Sequence, residues 1–138
     1  MTVRVASCHC GALEVSCDGG PTRVSMCHCI QCQRRTGSAF SVAVFYARAA
    51  VRVTGETRTF SRDSDSGFPV TFHFCPSCGS NVFWEPARLP ERIGVALGAF
   101  ADPDFPPPEQ SVWTKDKQRW IALPADLTAY DAAPPQRG

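Results

Sequence analysis

Seven of the eight cysteines in this chain stand in three tight clusters. Cys8 and Cys10 form a C-x-C pair, and Cys27, Cys29 and Cys32 form a C-x-C-x-x-C triplet. Cys75 and Cys78 form a C-x-x-C pair followed by Gly79. Thiolates this close in sequence reach one metal ion together, and seven of them suggest two ions. Zinc is favoured over iron–sulfur or copper, because structural sites built from such pairs most often hold it. The competing chemistry is a disulfide framework. C-x-C neighbours bridge poorly, and residues 1–7 carry no apolar signal region, so reduced thiols in a cytoplasmic protein are expected.

In a tetrahedral zinc–thiolate site the Zn–S bond is about 2.3 Å, which sets sulfurs roughly 3.8 Å apart. Both cysteines of a C-x-C on an extended segment share a face, so one ion can take both. A C-x-x-C followed by glycine turns the chain around the metal, and Gly79 frees the exit. The economical partition joins Cys8, Cys10, Cys75 and Cys78 in one closed site. It closes a long loop, so metal affinity adds directly to folding free energy. Cys27, Cys29 and Cys32 remain, and three protein ligands with an open position are the arrangement of a catalytic zinc. The alternative is a structural site completed by Cys17, a histidine or an acidic side chain. Spacing also permits Cys8 and Cys10 to join Cys27 and Cys29.

Short extended segments must position these cysteines. Val3–Val5, Leu13–Val15 and Val51–Val53 alternate, and Phe40–Tyr46 suits a buried strand. Thr57–Phe60 reads as the second arm of a hairpin turning at Gly55-Glu56. Val70–Phe74, Asn81–Glu85 and Ile93–Leu97 add further strands. Helix is scarce: Ile30–Thr36 is expected to make a turn or two ended by Gly37, and Pro124–Tyr130 a short helix. Ser61–Gly67 reads as a polar loop and residues 132–138 as a flexible C-terminal tail.

Composition fits one domain of ordinary size. The chain has 138 residues, 43% of them apolar, and a formal net charge of +1. No basic block announces a nucleic-acid surface, and no apolar run reaches the length of a membrane span. Neither nucleic acid nor membrane is expected as a partner, while a homo-oligomer stays open.

The motifs together resemble the GFA-domain family, the glutathione-dependent formaldehyde-activating enzymes and the centromere-protein-V-like group. The matching residues are Cys8-His9-Cys10-Gly11, the stretch Cys27 to Phe40, Phe74-Cys75-Pro76-Ser77-Cys78-Gly79-Ser80, and Trp113 with Trp120. Any one of these motifs is weak; three in this order are specific. The resemblance implies a mainly β fold over residues 3–131, a single zinc-stapled domain of several coiled antiparallel sheets (a β-tent) with little helix. It implies a structural zinc on Cys8, Cys10, Cys75 and Cys78. It implies a second, active-site zinc on Cys27, Cys29 and Cys32, which would then be the catalytic residues. The implied activity is that of a carbon–sulfur lyase acting on a small thiol and an aldehyde, such as glutathione and formaldehyde.

The remaining candidates carry weaker readings. His9 and His28 sit between cysteines and point away from the metal on an extended chain, so supporting or surface roles are favoured over ligation. His73 shares a face with Cys75 and is expected to be half-buried and non-catalytic. Cys17 reads as a buried thiol. Arg34 and Arg35 could hold a substrate carboxylate, with solvated surface arginines as the favoured alternative. Thr36 and Ser38 suit either the site or a turn. Phe83, Trp84, Trp113 and Trp120 are read as core before substrate platform. The competing function is a non-enzymatic, zinc-stabilised binding module, and a fourth protein ligand at the triplet would favour it.

Overall fold

The computed structural model describes residues 2–135. In chain order its strands are β1 (Val3–Ser7), β2 (Glu14–Asp18), β3 (Arg23–Cys27), β4 (Ser41–Ala47), β5 (Val51–Thr54) and β6 (Arg58–Asp63). They continue as β7 (Pro69–Phe74), β8 (Asn81–Pro86), β9 (Arg92–Ala96), β10 (Gln110–Val112) and β11 (Thr128–Ala129). One helix, α1 (Ile30–Thr36), follows β3. The fold is mainly β, as the sequence leads one to expect. No helix among the described residues is long and apolar enough to cross a membrane.

Two sheets carry the architecture. The small one has the order β1-β2-β5, and the large one has the order β11-β10-β3-β4-β9-β8-β7-β6. Side chains alternate across each strand, so the large sheet has two different faces. Val24 of β3, with Val44 and Tyr46 of β4, packs against Ala6, Val15 and Cys17 from the small sheet and Leu13 just before β2. This is the main core, and each large apolar side chain buried in it contributes about 1.5–3 kcal/mol relative to exposure. The opposite face turns outward Arg23, Ser25 and Cys27 of β3 and Ser41, Ala43 and Phe45 of β4, which line a cavity. A smaller apolar cluster of Ala43, Phe72 and Trp84 floors it.

Three expectations are corrected. The segment 57–60 does not return against 51–53. β5 pairs with β2, and β6 pairs with β7, so the turn at Gly55 passes the chain from one sheet to the other. Gly55 has φ +107°, and a Cβ there would run into the Ala12 carbonyl. Pro124–Tyr130 is not helical. The amides of Thr128 and Tyr130 donate to the carbonyls of Glu109 and Ser111, forming β11 on the free edge of β10. So short a segment nucleates a lone helix poorly, whereas an existing edge offers ready partners. The large sheet is also not wholly antiparallel, because β10 runs parallel to both β3 and β11.

Residues 136–138 of the expected tail lie outside the described residues. Residues 132–135 run beside the cavity. The Ala132 carbonyl accepts from the Trp113 amide at 3.2 Å, and Arg88 donates to the Pro134 carbonyl at 3.0 Å.

Candidate metal centres and the cavity beside one of them

The sulfurs of Cys8, Cys10, Cys75 and Cys78 lie within 4.8 Å of one another and could hold a metal ion. Cys8 and Cys10 leave the end of β1 in a tight turn, and Cys75 to Cys78 form the turn between β7 and β8. Cys10 Sγ is 3.7 Å from both Cys8 Sγ and Cys75 Sγ. Those separations match the roughly 3.8 Å that four thiolates adopt around one zinc. Backbone amides also point at the sulfurs. Leu13 N–H donates to Cys8 Sγ at 3.2 Å and Ser77 N–H to Cys75 Sγ at 3.4 Å. Such donors favour charged thiolates. Hydrogen bonds from Ser80 pull Cys78 down to about 5. Gly79 has φ +78°, and its amide donates to the Cys75 carbonyl, closing the turn.

Cys27, Cys29 and Cys32 form the second set, again within 4.8 Å. Cys27 ends β3. Cys29 is the N-cap of α1, its sulfur accepting the Cys32 amide at 3.3 Å, so the cap itself folds the C-x-x-C turn. Gly37 ends the helix in the left-handed region with φ 62°, as its position in the sequence predicts. The neighbouring sulfurs and Arg35 hold Cys32 down to about 3, while Cys29 and Cys32 push Cys27 up. Three soft donors at this separation fit a zinc ion, as do the four of the first set. Cys17 joins neither set. It is buried in the main core, and burial lifts it to about 11 and keeps it a thiol.

The second set opens onto a cavity of about 520 Å³; the first does not line it. Arg35 stands at the junction. It donates to Ser41 Oγ at 2.7 Å and to Asn81 Oδ1. Its guanidinium lies 4.6 Å from the Trp84 ring centre and 4.9 Å from that of Phe72. Burial lowers its pKa, and the charge of Cys32 opposes that. Arg34 is exposed and solvated, so the paired arginines part company one residue apart.

The other candidates sort by contact. His28 is fully buried, its Nε2 2.8 Å from Ser111 Oγ. His73 stacks on Phe83, with ring centres 4.3 Å apart, and meets Glu85 Oε2 at 2.9 Å, so it belongs to a surface network. Thr36 and Ser38 serve the turn: Thr36 Oγ1 donates to the Cys32 carbonyl and accepts from the Ser38 amide. Phe83 is core; Trp84 and Trp113 line the cavity. Trp120 is 74% exposed and so is not core, because the loop after Lys117 lies on the surface.

Asp65 escaped the sequence reading. It lies on the loop between β6 and β7, which hangs over the cavity. Burial and the nearby Cys29 raise its pKa. Its only signal in the sequence is one acid in a polar loop.

No curated protein matches the chain. A crystal structure of a Rhodobacter sphaeroides protein, solved as a structural-genomics target, shares the fold at TM-score 0.55 and 20% identity. That match covers 91% of this chain and 98% of the other. The family profile of the glutathione-dependent formaldehyde-activating enzymes matches residues 3–116, which hold both cysteine sets and the strands that carry them. The chain belongs to the GFA family.

Proposed function

We propose that the chain is a zinc-dependent carbon–sulfur lyase of the cytoplasm, with two zinc ions per chain. It would join a small, formaldehyde-like aldehyde to a thiol such as glutathione, or split that adduct. One observation carries the reading: of the two sulfur sets, the three-cysteine set is the one that opens onto a cavity of substrate size. Cys8, Cys10, Cys75 and Cys78 then staple the fold, and Cys27, Cys29 and Cys32 serve the chemistry.

A zinc ion held by Cys27, Cys29 and Cys32 would supply the positive charge that keeps a substrate thiol deprotonated at neutral pH. In adduct formation the substrate sulfur gives an electron pair to the aldehyde carbon, the C–S bond forms, and the carbonyl oxygen takes a proton. In the reverse direction that proton leaves, the C=O double bond re-forms, and the C–S pair returns to sulfur. Asp65, on the cavity wall, is the carboxylate placed to hold and return the proton. Arg35, fixed between two rings and two hydrogen-bond acceptors, positions Cys32. Phe72 and Trp84 keep water from the floor.

Two variants test the reading. Cys32→Ser should lose one of two zincs, read by native mass, and abolish aldehyde–thiol exchange. Asp65→Asn should keep both zincs and slow exchange by about 10²-fold. Loss of one zinc with exchange intact would return the triplet to a purely structural role.

A further inference from the structure

A second cavity, of about 450 Å³, is lined by residues next to both cysteine sets. Arg35 and Thr36 of α1 line it, and so do Gly79, Ser80 and Asn81, which leave the four-cysteine turn. Among the described residues one hydrogen bond joins α1 to that turn, from Arg35 Nη1 to Asn81 Oδ1.

Asn81 is placed by the turn that precedes it. Ser80 is tied to the four-cysteine set three times. Its Oγ accepts the His9 amide at 3.1 Å and lies 3.3 Å from Cys78 Sγ, and its carbonyl accepts the Cys75 amide at 3.0 Å. Asn81 itself pairs with Phe74 where the register between β7 and β8 shifts. Its Nδ2 donates to the His73 carbonyl at 3.0 Å, so both ends of its side-chain amide are engaged.

Arg35 stands between this amide and the triplet. Its Nη2 donates to Ser41 Oγ at 2.7 Å, and Ser41 is the register partner of Cys27. Arg35 also follows Cys32 by three residues on α1, the spacing that puts two side chains on one helix face. One guanidinium therefore stands beside Cys32, holds the partner of Cys27, and is itself held by the four-cysteine turn.

We infer that Asn81 is a positioning residue for the triplet. It carries the geometry of the four-cysteine turn to α1 through Arg35, and so steadies a metal held by Cys27, Cys29 and Cys32. The inference rests on the two-zinc part of the reading above and is independent of the reaction. Asn81 makes no hydrogen bond to any of the seven sulfurs among the described residues, so it acts only through Arg35.

Zinc release from the zinc-loaded full chain into a chromophoric chelator tests this. Alkylation of the freed thiols, mapped by mass, says which set has opened. Asn81→Ala should release zinc from the triplet about tenfold faster than the unaltered protein. Asn81→Asp keeps an acceptor for Arg35 and loses the donor to the His73 carbonyl, so it should restore slow release. Arg35→Gln should release zinc at least as fast as Asn81→Ala, and adding Asn81→Ala to it should accelerate release no further. Unchanged triplet release in Asn81→Ala overturns the inference. So does an Asn81→Asp protein as fast as Asn81→Ala, which would confine the residue to bracing β7 against β8. Additive acceleration in the double variant overturns it too. If release follows the expected pattern but the unaltered protein performs no aldehyde–thiol exchange, the lyase reading alone is lost. If exchange is present and Asn81→Ala releases zinc at the unaltered rate, this inference alone is lost.

Discussion

His28 Nε2 and Ser111 Oγ lie 2.8 Å apart in the interior, both residues fully buried. The histidine between Cys27 and Cys29 therefore faces away from the sulfurs and anchors their loop to β10. Two further contacts support the anchor. The His28 amide donates to the Val112 carbonyl at 3.1 Å, and the ring packs on Phe40 at 5.6 Å between centres. The parallel pairing of Val112 with Cys27 sets the same loop from the backbone side.

Removing that anchor should loosen one centre and spare the other. His28→Ala leaves a cavity and an unpaired hydroxyl, and is expected to cost about 2–3 kcal/mol. Ser111→Ala should cost about 1 kcal/mol. Zinc retention under mild chelation should fall at the triplet and hold at the four-cysteine set. Equal loss from both sets would show that His28 acts on the whole fold instead.

The metal sets were legible because ligand spacing is local. Gly37 likewise marks the end of α1 locally, one residue past Thr36. β3 and β10 were not legible. β3 offers only Val24 and Met26 to the core, since its other face lines a polar cavity. β10 buries Gln110 and Ser111, which an apolar pattern rejects. They are satisfied by Ser25 and His28, more than eighty positions away in the chain. The arginine-lined cavity was equally hidden. Arg23, Arg62 and Arg92 come from three strands, Arg35 from α1 and Arg88 from the turn after β8, so they are scattered in sequence and meet only in the folded chain.

Cys75 and Cys17 are both buried, yet their substitutions should differ sharply. Cys75→Ser removes one of the four sulfurs through which the proposed zinc would tie β7 to the N-terminal turn, so one zinc and much of the cooperative unfolding transition should be lost. Cys17→Ala removes only a core thiol, and should keep both zincs at a cost of about 1 kcal/mol. Zinc counts and thermal melts of the two variants decide it. A Cys17→Ala protein with one zinc would bring that residue back as a ligand.

Glu85 should make stability depend on acid. Hydrogen bonds from Arg48, at 2.7 Å, and from His73 lower its pKa in the folded protein. A depressed carboxylate contributes fully above its unfolded value, about 4.5, and the contribution fades as pH falls through the folded value. The groups are partly exposed, so Glu85→Gln is expected to cost only about 0.5–1 kcal/mol at pH 7. Urea midpoints of the unaltered protein and the variant should converge below about pH 4. A gap that persists undiminished at pH 3 would assign the loss to packing.

Gly94 decides where the cavity floor lies. It pairs with Phe45 on β4 and Trp84 on β8, and the Trp84 indole crosses directly over its Cα. A Cβ at this position would overlap the indole ring, so Gly94→Ala must push Trp84 toward the cavity. Trp84 cannot retreat, because Arg35 is stacked against it and Phe72 lies at 5.9 Å between ring centres. Overpacking of this kind costs about 1–3 kcal/mol. The variant should also lose the stacking that fixes Arg35 near Cys32, and should bind cavity ligands more weakly than its stability loss alone requires. Tryptophan emission should shift to the red as the indole becomes solvated. A stable Gly94→Ala protein with unshifted emission and unchanged ligand binding would mean that the floor yields by backbone movement instead.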